Sequence, residues 1–461
     1  MSLSFEHSYA SLPPILHRSV ALEPVSVPRT VIANVALAQS LGLPADWQET
    51  LLDFGGRQGL AMAYAGHQFG GFNAQLGDGR AALLAEINGK FDVHLKGSGA
   101  TPFSRNGDGK ATLSAMLREY IVSEAFAGLG IPTTRSLAVV GTGETVYRER
   151  KEHGAVLFRL AKSHVRVGTF QYLAVRHEFA SLKALADYEM ARNFGASPEG
   201  ANPYLWLMEQ VIARQGSLIA QWMAVGFIHG VMNTDNMQLA GETIDFGPCA
   251  FMDVFHPQKV FSSIDHGGRY AWDKQPVMAL WNLTRLAEAL LPLLHEERPQ
   301  AITMAEGALE KFLPQFEHEF ETRFLHKLGI FERRETDADF IAATLQYMAD
   351  VSADFTNFFA SLDPQSPEEK TQWHQSWRSR LAAQPQSLDE AKALMQRFNP
   401  VIIARNHRVA EALAAAEAND LTPLHKLLAA LKNPFDQTLQ GSDLTRPPSA
   451  DEEVHQTFCG T

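Results

Sequence analysis

Cysteine is nearly missing from this chain. Two occur among 461 residues, Cys249 and Cys459, too few for a disulfide framework or a cysteine-rich zinc site. Apolar runs are short, and none approaches the ~20 residues that a bilayer-spanning helix needs. Residues 1–20 lack the basic-then-apolar order of a secretory signal. Cationic excess is missing too: 40 Lys and Arg face 52 Asp and Glu, a formal net charge of −12. Such a chain is a poor nonspecific binder of nucleic acid or anionic membrane, although a local basic pocket for phosphate is compatible with it. These absences lead us to expect a soluble, cytoplasmic protein with no nucleic-acid or membrane partner. What is present is ordinary globular material, 45% hydrophobic and 20% charged, enough to build a large core. There is no internal repeat and no low-complexity tract.

Residues 1–59 carry Pro13, Pro14, Pro24, Pro28 and Pro44 and read as an irregular N-terminal extension. From 60 to 165 glycine is dense, and short β-like runs alternate with turn signals. Beyond about 166 the pattern becomes helical, as over residues 217–226, 276–294 and 301–327. Residues 361–370, broken by Pro364 and Pro367, read as an exposed loop, and the tail after Pro434 as a polar surface segment. The expected fold class is α+β: a β-rich small lobe over 60–165, a helical large lobe over 166–330, and a helical C-terminal region over 331–461. Two unlike lobes leave a cleft between them.

Chemistry concentrates first in residues 72–130. A strand over 72–76 leads into Gly77-Asp78-Gly79-Arg80, a second apolar run over 81–87, the turn dipeptide Asn88-Gly89, and a return strand ending in Lys96. Asn-Gly suits a tight hairpin turn. Strand, glycine loop, strand, turn, strand ending in lysine is the order of a kinase small lobe, in which glycines admit phosphate to backbone N–H groups and lysine supplies a point charge. A helix follows, with Leu113, Met116, Leu117, Tyr120 and Ile121 at helical spacing and Thr112 as its cap. It should present a glutamate to Lys96. Glu119 and Glu124 are both candidates, and spacing alone does not choose between them.

Arg159 interrupts an apolar strand, where a guanidinium is costly unless it meets an anion. With Lys162, His164 and Arg166 it makes a small basic cluster suited to a triphosphate. Farther on, His229-Gly230-Val231-Met232-Asn233-Thr234-Asp235-Asn236 precedes Asp245-Phe246-Gly247. Laid over the kinase pattern H-R-D-x-x-x-x-N and D-F-G, the His, Asn and metal-binding Asp places are filled by His229, Asn236 and Asp245. The base place holds Val231, which accepts no proton, and a carboxylate reappears at Asp235. Asn236 and Asp245 offer the hard oxygens that Mg²⁺ prefers beside nucleotide phosphates. His67 and His266 sit among glycines and are expected to be structural.

The chain resembles the selenoprotein O family of kinase-like proteins over essentially its whole length. The resemblance rests on Tyr64-Ala65-Gly66-His67-Gln68-Phe69-Gly70, Leu76-Gly77-Asp78-Gly79-Arg80, Lys96-Gly97-Ser98-Gly99, Asn233-Thr234-Asp235-Asn236-Met237, Asp245-Phe246-Gly247-Pro248 and Cys459-Gly460-Thr461. It implies a two-lobed protein-kinase-like fold that binds ATP in a flipped orientation and transfers AMP to Ser, Thr or Tyr hydroxyls of protein substrates. By the same resemblance Lys96 pairs with Glu119, and Gly77, Gly79, Arg80, Asp108, Gly109, Arg159 and Arg166 line the nucleotide site. Asp235 is the implied proton acceptor. Asn236 and Asp245 are the implied ligands of Mg²⁺, with Mn²⁺ as a substitute and Asp245 also near the nucleotide. Two other activities remain open: ordinary phosphotransfer with Asp235 replacing the missing base, and a catalytically silent scaffold that binds ATP. Cys459 stands where some eukaryotic relatives carry selenocysteine. One expectation is a reversible disulfide between Cys459 and Cys249; the other is a buried structural Cys249 and an unrelated exposed Cys459.

Overall fold

Strands Ala81–Ile87 and Phe91–Lys96 pair antiparallel across a turn closed by the Lys90 N–H donating to the Ile87 carbonyl at 3.0 Å. Asn88 (φ +56°) and Gly89 (φ +65°) both take the left-handed conformation that this dipeptide supplies at low cost. The hairpin lies at the centre of an antiparallel sheet with nine strands among the described residues. Its main path runs His17–Ala21, Gln58–Met62, Ala81–Ile87, Phe91–Lys96, Lys151–Ala161, Arg135–Tyr147, Arg29–Ala33. The computed structural model describes residues 3–5, 7–366 and 371–458.

The sheet differs from the sequence expectation in two places. The N-terminal extension is not wholly irregular; His17–Ala21 and Arg29–Ala33 are strands that supply both ends of the sheet path. Each end strand buries only one residue in five, so neither carries the alternation that marks a strand in sequence. The strand expected over 72–76 is shorter, Gly71–Asn73, and leaves the main sheet to pair with Gly66–Gln68. Positive φ at Phe69 (+51°) and Gly70 (+86°) turns the chain back on itself there.

Thr112 caps the helix Leu113–Gly128, its Oγ1 accepting from the Ala115 N–H, and this helix packs on the strands Arg135–Tyr147 and Lys151–Ala161. The remainder is helical. Pro203–Ala224, Gln275–Leu294 and Phe312–Lys327 pack together. The run expected over 301–327 is two helices, Arg298–Leu309 and Phe312–Lys327. Pro314 has no N–H to continue a helix from the preceding turn and its ring would strike the carbonyl of residue 310. Contrary to the expectation that no apolar run approaches the length of a bilayer, Trp272–Leu294, which contains Gln275–Leu294, is long and apolar enough to cross one by length and composition. Here it is a core helix whose polar residues hold the loop beside it: Asn282 Nδ2 donates to the Met232 carbonyl at 2.9 Å, and Gln275 bonds both Phe227 and His229. At its far end the chain returns to the sheet. Helices Asn406–Glu417 and Thr422–Leu431 pack on Leu113–Gly128.

Candidate active site

A cavity of about 870 Å³ lies between the sheet and the loops of residues 231–245. Its walls include Gly77, Gly79, Arg80, Lys96, Asp108, Gly109, Arg159, Arg166, Asp235, Asn236 and Asp245. Of the expected site residues only Glu119 is not part of the wall. It stands behind, buried, and acts on the cavity through two cations.

Lys96 closes its strand and reaches both ways. Its Nζ is 2.5 Å from Glu119 Oε2 and 2.7 Å from Asp245 Oδ1. The other Glu119 oxygen accepts from Arg159 Nη1 at 2.8 Å. Glu124 is the wrong helix face for this role: it binds Arg135 and Asn34 at the opposite side. Burial alone would raise the Glu119 carboxyl, but Lys96 and Arg159 more than offset it and hold the group below the ordinary glutamate range. Asp245 behaves likewise. Burial opposes its ionisation, while Lys96, Arg80 and Arg159 keep it well below the usual carboxylate range. Asp245 also has φ +68°, a conformation rare outside glycine and held here by its surroundings. Phe246 next to it is buried against Phe126, ring centroids 5.3 Å apart, so the glutamate helix and this loop are packed as one. Arg118 on that helix donates to the Gly247 and Cys249 carbonyls at 2.8 and 2.5 Å.

The basic cluster is smaller than the sequence suggests. Lys162 and His164 do not reach the cavity; the Lys162 N–H donates to Glu242, and His164 is buried against Asp92. The strand Lys151–Ala161 carries Arg159 to the cavity, while Lys162 and His164 follow its end. In their place stand two residues that sequence reasoning did not single out. His94 joins Arg159 Nη2 (3.0 Å) to Asp78 Oδ2 (3.0 Å), and Arg166 lies 3.7 Å from the other Asp78 oxygen, its guanidinium over the Tyr64 ring. A histidine within the buried run Phe91–Lys96 was the available signal, since a buried polar group needs partners. Asp108 pairs with Arg148 at 2.9 Å on the outer rim.

Val231 is buried and His229 bonds the Ile244 carbonyl at 2.9 Å, so neither is available to move a proton. Asp235 is. Burial pushes its carboxyl up to about 6 against the opposing pull of Arg166, and its Oδ1 has no hydrogen-bond partner among the described residues. Asn236 commits its amide nitrogen to the Val231 carbonyl at 3.1 Å, which leaves its oxygen for the cavity. His67 is bonded to Gln171 at 2.9 Å; His266 is exposed.

Cys249 is fully buried and its thiol is pushed up to about 12 by that burial. Cys459 lies outside the described residues. The tail nonetheless docks nearby: Thr457 Oγ1 donates to the Pro248 carbonyl at 2.5 Å.

The model of a family described as protein adenylyltransferase SelO matches residues 1–432. Curated relatives include the protein nucleotidyltransferases YdiU of Rhodopseudomonas palustris, 48% identical over 486 residues with 99% of each chain covered, and of Brevibacillus brevis, 48% identical over 480 residues with 99% of this chain and 98% of the relative covered. The YdiU protein of Bacillus mycoides is 49% identical over 481 residues, with the same coverage. A match of this length and identity leaves no part of the site outside it: the chain belongs to the SelO family of nucleotidyltransferases.

Proposed function

We propose that the chain transfers AMP from ATP to Ser, Thr or Tyr hydroxyls of proteins, from a kinase-like cleft in which ATP lies reversed. The carrying observation is the placement of carboxylates. Val231 stands where a phosphotransferase loop puts its base, while Asp235 reaches the same cavity one residue before Asn236. Arg80, Arg159, Arg166 and Lys96 supply four cations to the walls, matching a pyrophosphate leaving group in addition to the reacting phosphate. In the reaction, Asp235 accepts the proton of the attacking hydroxyl. The hydroxyl oxygen bonds the α-phosphorus, the bond from that phosphorus to the bridging oxygen breaks, and pyrophosphate departs with the electron pair.

Among the described residues no three His, Cys, Asp or Glu side chains gather as a metal cage. The Asn236 oxygen and the ionised Asp245 nonetheless fit Mg²⁺ or Mn²⁺, which take one or two protein oxygens when phosphates complete the shell. Bound there, the ion offsets charge on the phosphate oxygens. Lys96 holds Asp245 charged and oriented, and Glu119 with Arg159 fixes Lys96 in turn.

Asp235→Asn tests the base. ATP binding, followed by calorimetry, should match the parent, while AMP transfer falls by about two to four orders of magnitude. Undiminished transfer would remove Asp235 from the role.

A further inference from the structure

The motif Tyr64–Gly70 begins at Tyr64, under the Arg166 guanidinium, and runs from there along the wall beside Asp235. Gly66–Gln68 and Gly71–Asn73 form a hairpin tied to the catalytic loop at three points. The His67 N–H donates to Thr234 Oγ1 at 2.8 Å, the Phe69 N–H to Asn233 Oδ1 at 3.1 Å, and Gln68 Nε2 lies 3.5 Å from Asp235 Oδ2. Tyr270 Oη donates to the same Asn233 oxygen at 2.8 Å and its ring packs on Phe69. Gln68, Phe69, Asn233 and Ile264 therefore wall the cavity around Asp235. Beyond them the surface turns apolar and open: Ile264 is 53% exposed and Phe72 43%.

Arg269 borders this face. The Arg269 guanidinium is stacked 4.8 Å from the Trp281 ring, its Nε buried without a hydrogen-bond partner. It borders the hairpin turn, 3.8 Å from where a side chain on Gly70 would begin. Among the described residues it forms no ion pair, although the chain has twelve more acids than bases (52 − 40). Its neighbour Arg285, on the same tryptophan, is already matched by Glu288 at 2.9 Å. A guanidinium placed over an aromatic ring, with no carboxylate at ion-pair distance among the described residues, is suited to a carboxylate supplied from outside.

We propose that the hairpin and the loop of residues 264–270 form the docking face for the acceptor protein, and that Arg269 selects segments bearing a carboxylate close to the reacting hydroxyl. The inference rests on the adenylyl-transfer reading and names its substrate class. Gln68 touches Asp235 and Gly70 touches Arg269, two residues apart on one strand turn. An extended segment with its hydroxyl at Asp235 thus brings a carboxylate to Arg269 about two to four residues away.

The test uses the full chain, α-labelled ATP and three peptides that share one serine and carry Glu, Gln or Lys at the flanking positions. The parent should favour the Glu over the Lys peptide by about tenfold in kcat/KM, mainly through KM. Arg269→Glu should reverse that order and Arg269→Gln should level it, with the KM for ATP unchanged in both. An equal or uniform slowing of all three peptides in the variants would make Arg269 merely structural and overturn the inference. A lysate run in parallel separates the two failures. Labelled lysate proteins with no preference for the Glu peptide defeat this inference alone; no label on any acceptor defeats the adenylyl-transfer reading and this inference with it.

Discussion

Asp235 and Asp245 share one cavity wall, and burial disfavours the charge on both. Their fates differ because of what each touches. Asp245 has the Lys96 ammonium at 2.7 Å and stays ionised, which suits the metal-ligand role proposed for it. Asp235 has only the weak amide contact from Gln68 at 3.5 Å and the influence of Arg166, so its carboxyl rises to about 6, nearer the range useful to a base. Away from the cavity, the same physics acts on Glu189, which accepts from Ser163 Oγ at 2.6 Å and Asn193 Nδ2 at 3.0 Å. Among the described residues no cation is bonded to it, and burial pushes its carboxyl up from 4.5 to about 7. Between those values the folded chain keeps a proton that the unfolded chain has released. Stability must therefore fall as pH rises through that window and stay lower above it. Glu189→Gln removes the ionisation, so its melting temperature relative to the parent should climb from about pH 5 to about pH 8. A pH-independent difference would show that the group does not titrate there.

At the scale of elements, the helix Leu113–Gly128 is the joint of the molecule. It carries Glu119 to Lys96, Arg118 to the loop after Asp245, and Phe126 to Phe246. Its outer side is covered by the last two helices. Ser114 Oγ donates to Glu417 at 2.9 Å, and at Gly128 the Leu431 carbonyl approaches so closely that an added Cβ would lie 2.0 Å from it. Gly128→Ala must force these helices apart, at a cost of about 1–3 kcal/mol, and should lower the melting temperature and AMP transfer together. Unchanged values for both would mean the C-terminal helices do not brace the glutamate. The hairpin and the lysine at its end were legible in the sequence because Asn88-Gly89 and a fully buried run leave a strong local signal. The choice of Glu119 over Glu124 was not legible from spacing, since both faces of the helix are covered. The end strands His17–Ala21 and Arg29–Ala33 were hidden by their exposure, and the bracing of Gly128 is a contact across some three hundred residues that no local pattern encodes.

The whole molecule places an acidic chain around a basic cavity. Lys96, Arg80, Arg159 and Arg166 line the cavity with Asp235, and the hairpin that borders Asp235 through Gln68 also borders Arg269 through Gly70. That arrangement fits the proposed reaction, in which the four cations meet the nucleotide phosphates and the hairpin meets the protein that carries the hydroxyl. Its most direct test is transfer from ATP labelled separately at the α- and γ-phosphates, with Mg²⁺ and a bacterial lysate as acceptor. The account predicts protein-bound label from the α position alone, lost in Asp245→Ala. Label from the γ position alone would contradict it, because Asp235 would then serve ordinary phosphotransfer and ATP would not lie reversed.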